Sequence, residues 1–181
     1  MYYDICILSC LMEKPRHGYE IKKYLISKFE VCTKINNNTI YPMLKKYMKI
    51  EAITQKEQLQ QGKPAKKVYY ITEKGRLLFF QRLNNISLDV IINRDEYMMR
   101  LSFFNYLINK NRKRLLNERA EYIRQTIKKV HALGKSDASN HVELRQFYLD
   151  LLNLDQKVNE DFYKKIDLPC EIPTEYLSSI E

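Results

Sequence analysis

Glycine occurs only four times in this sequence and histidine three, and each shortage closes off chemistry. No glycine-rich phosphate loop can be built from the glycines, so nucleotide binding of that kind is excluded. His17, His131 and His141 do not pair with Cys, Asp or Glu at the spacing of a metal site or a catalytic triad. Cys6, Cys10, Cys32 and Cys170 contain no CxxC, which argues against a zinc site or a disulfide scaffold. Cys6 and Cys10 share one helix face; buried apolar packing is the main reading and a thiol sensor or metal site the other. Long apolar runs are missing too: Ile5–Met12 is broken by Ser9 and far too short to cross a bilayer. No Lys or Arg precedes that run, and Glu13-Lys14-Pro15-Arg16 follows it where a cleaved leader needs small residues. A cytoplasmic protein without membrane partner, catalytic residues, metal or cofactor is expected.

What is present is positive charge, and it is segregated. Residues 1–85 hold 16 Lys/Arg against 7 Asp/Glu, a net +9, whereas residues 86–181 hold 15 against 15. The excess suggests that the first half faces a polyanion and that the second has another task. Charge alone does not separate DNA from RNA or an anionic membrane.

Ile5, Leu8, Leu11 and Met12 recur at helical spacing, and Pro15 and Gly18 end that helix. Tyr19–Phe29 reads as a second helix, with Ile21, Leu25 and Phe29 on one face. Asn36-Asn37-Asn38 offers N-caps for a third, Thr39 to about Ile50, with Ile40, Leu44 and Tyr47 inward. With Asn38 as the cap, Pro42 falls among the first four helical residues, where no N–H is needed. The period then becomes alternating at Ile53-Thr54-Gln55 and Val68-Tyr69-Tyr70-Ile71. That predicts a two-stranded hairpin with a long basic tip over 60–67. Thr72 caps a fourth helix through Leu77, Leu78 and Leu83. Three helices, a basic hairpin and a further helix describe a winged helix-turn-helix, residues 1–88.

Residues 89–181 read as a helical dimerisation domain. Asn93 and Glu96 resemble a capping box opening a helix through Met98, Leu101, Phe104 and Ile108. Leu116, Ala120, Ile123, Ile127 and Val130 form one three-four seam. Asn140 and Glu143 open a second, Leu144, Phe147, Leu151, Leu154 and Val158. Two such seams predict an antiparallel pair whose faces find partners in a closed three-helix bundle or in a second copy of the chain. The overall class is mostly α with a small β wing.

A helix-turn-helix presents the start of one helix to base edges and cations to the flanking phosphates. The Asn36–Tyr41 stretch, with Asn38 and Thr39 among its amides and hydroxyls, fits the first need. Lys45, Lys46 and Lys49 lie away from Leu44 on the same helix, and Lys63, Lys66 and Lys67 fit the second.

Three segments carry a specific likeness: Pro15-Arg16-His17-Gly18-Tyr19-Glu20-Ile21, then Thr39-Ile40-Tyr41-Pro42-Met43-Leu44-Lys45-Lys46, then Gly62 through Tyr69-Tyr70 to Gly75. In this order the chain resembles the PadR family of bacterial transcriptional regulators, in particular longer members with a three-helix C-terminal part. The resemblance implies a homodimer that represses promoters on double-stranded operator DNA and is released by a small-molecule effector or other cue. It also implies that Tyr19 and Tyr41 lie near phosphates, that Thr39, Lys45 and Lys46 belong to the recognition helix, and that Lys63, Lys66 and Lys67 form the wing. His17 matches a family position at which a turn-stabilising role is expected. Three departures stand out: Tyr47-Met48 replaces Leu-Glu, Glu51 replaces a common Gly, and no Trp exists to stack planar ligands, although 14 Tyr and 7 Phe could.

Overall fold

The computed structural model describes residues 2–29, 35–60, 63–136 and 142–180. Contacts divide the chain into two compact units, one of Met1–Asn85 with Pro173–Glu181 and one of Ile86–Ile172. The sequence reading kept 89–181 together; the structure returns 173–180 to the first unit, where Tyr176 finds a partner ring in Phe80.

The first unit is built around α1 (Tyr2–Glu13), buried from Asp4 to Leu11 because its apolar residues run almost all round the helix. The carbonyl of Cys10, in its last turn, accepts a hydrogen bond from Arg16 Nε at 3.0 Å. Arg16–His17 form a short strand, β1, followed by α2 (Gly18–Lys28). Glu20 reaches back to the His17 N–H at 2.8 Å, satisfying a donor at the helix start.

Helix α3 (Asn37–Lys49) is capped by Asn36, whose Oδ1 accepts from the Thr39 N–H at 3.1 Å. The cap is therefore Asn36, not Asn38, and Pro42 lies at the sixth helical position rather than within the first four. There it withholds the N–H that residue 42 would give the Asn38 carbonyl. Ile40, Leu44 and Tyr47 point inward as expected. Tyr47, where the resemblance led one to expect Leu, is wholly buried and donates its hydroxyl to Asp4, which also pairs with Arg82. Burial and the Asp4 carboxylate push its phenol upward. Asp4 thus ties α1 to α3 and to α4 (Glu73–Asn84).

The hairpin is more regular than its polar sequence suggests. Strands β2 (Ile53–Gln60) and β3 (Lys63–Ile71) extend through the stretch read as a tip, and Lys66 and Lys67 sit in β3 opposite Gln58 and Glu57. Cross-strand pairing of long polar side chains holds them extended. The sheet has three strands, not two, in the order β1-β3-β2, with Arg16 opposite Tyr69 and His17 opposite Val68. The extended backbone of His17 lets it pair with the other edge of β3. Thr72 caps α4: its Oγ1 accepts from Gly75 N at 3.1 Å and contacts the Glu51 and Ala52 carbonyls at 2.7 and 3.0 Å. Gly75 is required by proximity, since a Cβ would fall 2.0 Å from the Ala52 oxygen.

The second unit comprises α5 (Leu88–Ile92), α6 (Arg94–Ser102), a 3-10 turn (Phe104–Tyr106), α7 (Asn109–Ser136) and α8 (Val142–Tyr163). Asn93 caps α6 as read, accepting from Asp95 and Glu96 N–H groups, but the helix stops at Ser102 instead of continuing to Ile108. The Asn140 cap lies outside the described residues. Contacts of Leu116 with Asn159 and of Arg119 with Asp155 run in opposite senses, so α7 and α8 are antiparallel. Arg119 and Asp155 are both buried, and Arg119 also donates to the Ile92 carbonyl at 2.9 Å.

Of the two seams, only that of α7 turns inward, with Leu116 and Ile123 fully buried. Helix α8 buries Leu149, Leu152, Asp155 and Asn159 instead. Its predicted seam points to solvent: Leu144 is 65% and Phe147 59% exposed, and Leu151 and Leu154 are exposed as well. Among the described residues no helix is long and apolar enough to cross a membrane.

Candidate nucleic-acid interface

Beside the start of α2 lies an open cleft of about 600 Å³ lined by His17, Gly18, Tyr19, Glu20, Lys23, Tyr41, Lys66, Lys67 and Tyr69. Four residues singled out from sequence meet there: Tyr19, Tyr41, Lys66 and Lys67. They come from three elements far apart in the chain, and local features explain the convergence. Gly18 lacks a side chain, so the Tyr41 ring of α3 can lie on it; a Cβ would sit 2.9 Å from Tyr41 Cε1 and Oη. His17 Nδ1 is 3.3 Å from the Lys67 carbonyl, fastening the turn before α2 to the wing. The glycine and histidine of the first motif are therefore positioning residues. Below them Arg16 bonds Glu13 at 2.7 Å and stacks 4.2 Å over the Tyr24 ring, fixing the α1–α2 turn.

Tyr19 is 73% and Tyr41 42% exposed, and both line the cleft. Their hydroxyls, with two lysines, offer donors to an anion in the cleft. Tyr69, opposite Gln55 on β2, forms its floor; burial, with Tyr41 close by, raises its phenol above the ordinary value.

The remaining candidates lie on α3 outside the cleft. Asn38, Tyr41, Lys45 and Lys49 follow one another at three- and four-residue steps on the exposed side, opposite Ile40, Leu44 and Tyr47. Thr39 and Lys46 flank that row. Thr39 is half-buried, and its hydroxyl lies 3.3 Å from Asn36 Oδ1, so it also serves the cap. Lys63 begins β3, and its side chain is not among those described.

Sequence reasoning missed Lys23 and Tyr69. Lys23 was legible: it stands four residues after Tyr19 and so shares its helix face. Tyr69 became a cleft residue only through the pairing of β1 with β3. Among the described residues no cluster of His, Cys, Asp or Glu could hold a metal ion.

Three helices, a basic hairpin and a further helix, in that order, make up a winged helix-turn-helix. Residues 7–80 match the transcriptional regulator PadR-like family. No curated protein matches the chain. Several solved structures are similar. One is PadR of Bacillus subtilis in complex with operator DNA, 21% identical over 92% of this chain and 100% of that one, TM-score 0.44. Another is smu.1604c from Streptococcus mutans UA159, 29% identical over 89% of this chain and 98% of that one, TM-score 0.44. A third is the PadR-like regulator BC1756 from Bacillus cereus, 22% identical over 92% and 97%, TM-score 0.39.

Proposed function

We propose that the chain is a cytoplasmic, homodimeric repressor that binds double-stranded operator DNA. In this reading the Asn38–Tyr41–Lys45 row of α3 faces the major groove. Lys66 and Lys67 follow the adjoining phosphates, and Tyr19 and Tyr41 donate to the backbone between them. The observation that carries it is the cleft, where the tyrosines of α2 and α3 meet the lysines of the wing around one open space. A second copy covers the outward seam of α8, because four large apolar side chains at three-four spacing form a face that solvent disfavours. A small ligand or other cue releases the DNA.

The test is a mobility-shift titration of the full chain on the DNA upstream of its own gene, at two salt concentrations, with random DNA as competitor. Retention that resists competitor and weakens with salt is expected. Retention that random DNA erases would leave a basic surface only and favour an RNA or protein partner.

A further inference from the structure

Because Asn36 caps α3, accepting from the Thr39 N–H at 3.1 Å, the side-chain amide of Asn38 has no part in the cap. Asn38 is exposed in the first turn of the helix, the part that a helix-turn-helix lays against base edges. The neighbours that could share this task are engaged or turned away. Thr39 is half-buried, with its hydroxyl 3.3 Å from Asn36 Oδ1. Asn37 stands one position earlier and is rotated about 100° around the axis. The Tyr41 ring lies on Gly18 beside the cleft.

Asn38, Pro42, Lys45 and Lys49 are all exposed, and at helical spacing they form the ridge most nearly opposite Ile40, Leu44 and Tyr47. Pro42, one turn on, has neither a polar side chain nor an N–H to offer. Lys45 and Lys49 follow roughly 10 and 17 Å beyond Asn38 along the axis, which suits them to phosphates flanking the groove. No Arg, Asp or Glu occurs in α3, so the helix lacks the usual bidentate reader of guanine and the carboxylate partner of cytosine.

A carboxamide presents an acceptor and a donor side by side, and both need partners once they leave water. In the major groove adenine offers its N7 acceptor beside its N6 amino donor, the complement of that pair. Guanine offers two acceptors, cytosine a donor, and thymine an acceptor beside a methyl group. Adenine alone satisfies both sides of the amide at once. We infer that Asn38 is the specificity-determining residue of α3 and that it selects an adenine in the duplex. Selection of this kind rests on the reading of α3 as the helix in the major groove, and adds which base that helix demands.

Enrichment of sites from a randomised duplex library by the full chain tests it. The wild type should enrich sites that share an adenine at one fixed position. Asn38→Ala should lose the preference at that position alone and bind the best site on the order of tenfold more weakly. Its slope of log affinity against log salt should stay that of the wild type, because no phosphate contact is removed. Replacing that adenine by 7-deazaadenine, which lacks the N7 acceptor, should weaken the wild type and leave Asn38→Ala unaffected. Asn36→Ala, which removes the cap, should lower stability without changing the base preference. A selected site that Asn38→Ala reads as the wild type does overturns the base assignment while DNA binding stands. A uniform loss across sequences with a flatter salt slope overturns it too, since it would mark a phosphate contact. Failure of the wild type to enrich any sequence overturns the assignment together with the operator-binding reading on which it rests.

Discussion

The ring of Tyr41 rests on the bare Cα of Gly18, close enough that a single added methyl would stand 2.9 Å from its Cε1 and hydroxyl oxygen. The contact joins the first two sequence motifs and sets how far Tyr41 reaches into the cleft. Gly18→Ala therefore displaces the ring while leaving α2 intact, since Ala is the better helix former. DNA affinity should fall on the order of tenfold, about 1.4 kcal/mol, with the thermal midpoint nearly unchanged. A filter-binding titration beside a melting curve checks this; unchanged affinity would remove Tyr41 from the interface.

Lys66 and Lys67 are exposed neighbours on β3, opposite Gln58 and Glu57, and both line the cleft. Replacing either by Ala should weaken binding equally on specific and random DNA. It should also flatten the plot of log affinity against log salt by roughly one unit per phosphate contact. Measuring the slope at four or more salt concentrations decides it, and a slope identical to the wild type places these lysines off the DNA.

Glu51 occupies the left-handed region, with φ 58°, between α3 and β2. A Cβ is strained there, which is why the resemblance led one to expect Gly. The carboxylate makes an exposed ion pair with Lys74 at 3.2 Å, a contact of little net worth. Glu51→Gly should consequently stabilise the first unit by about 1 kcal/mol, and Glu51→Val should destabilise it. Chemical denaturation midpoints at constant slope would show both signs; a destabilising Glu51→Gly would mean the ion pair outweighs the backbone strain.

The hydrogen bond to Glu73, together with burial, pushes the Tyr176 phenol up to about 12 from an ordinary 10. A raised folded-state value means that the stability it contributes is complete below pH 10 and is lost as the pH rises to 12. Tyr176→Phe lacks both the bond and the titration. The wild type should therefore exceed this variant in stability at pH 8 and lose that advantage between pH 10 and 12. Parallel denaturation curves across that range provide the comparison; a constant difference would detach Tyr176 from Glu73.

Much of this was legible before any coordinates, and the reasons are local. Ile40, Leu44 and Tyr47 could turn only one way once the helix was placed, and Thr72 and Asn93 cap because their side chains match the free N–H groups nearby. The errors lie where tertiary pairing decides. Nothing in Arg16-His17 announces a strand, since two residues become one only when β3 offers its edge. Residues 60–67 lack β-prone side chains, yet the partner strand holds Lys66 and Lys67 extended. Asn36, Asn37 and Asn38 are equivalent caps by composition, and it is the extended backbone of Asn36 that puts its side chain on the Thr39 N–H. Tyr176, Leu177 and Ile180 read as an apolar stripe that docks on the body or on a second copy, but which surface it meets was not legible, because its partners, Glu73 and Phe80, lie about a hundred positions earlier.

The outward seam of α8 leads to the last prediction. Leu144, Phe147, Leu151 and Leu154 alternate with Leu149, Leu152, Asp155 and Asn159, so the helix buries one face within its unit and leaves an apolar one free. Phe147→Glu and Leu154→Lys alter exposed positions and should leave helical content intact. If a second copy covers this face, either charge must be buried without a partner, which opposes association. Sedimentation should then show a dimer for the wild type and a monomer for the variants. Footprints should contract from two half-sites roughly 34 Å apart to weak single-site protection. A wild type that sediments as a monomer, or variants that remain dimeric, would move the dimer contact away from α8.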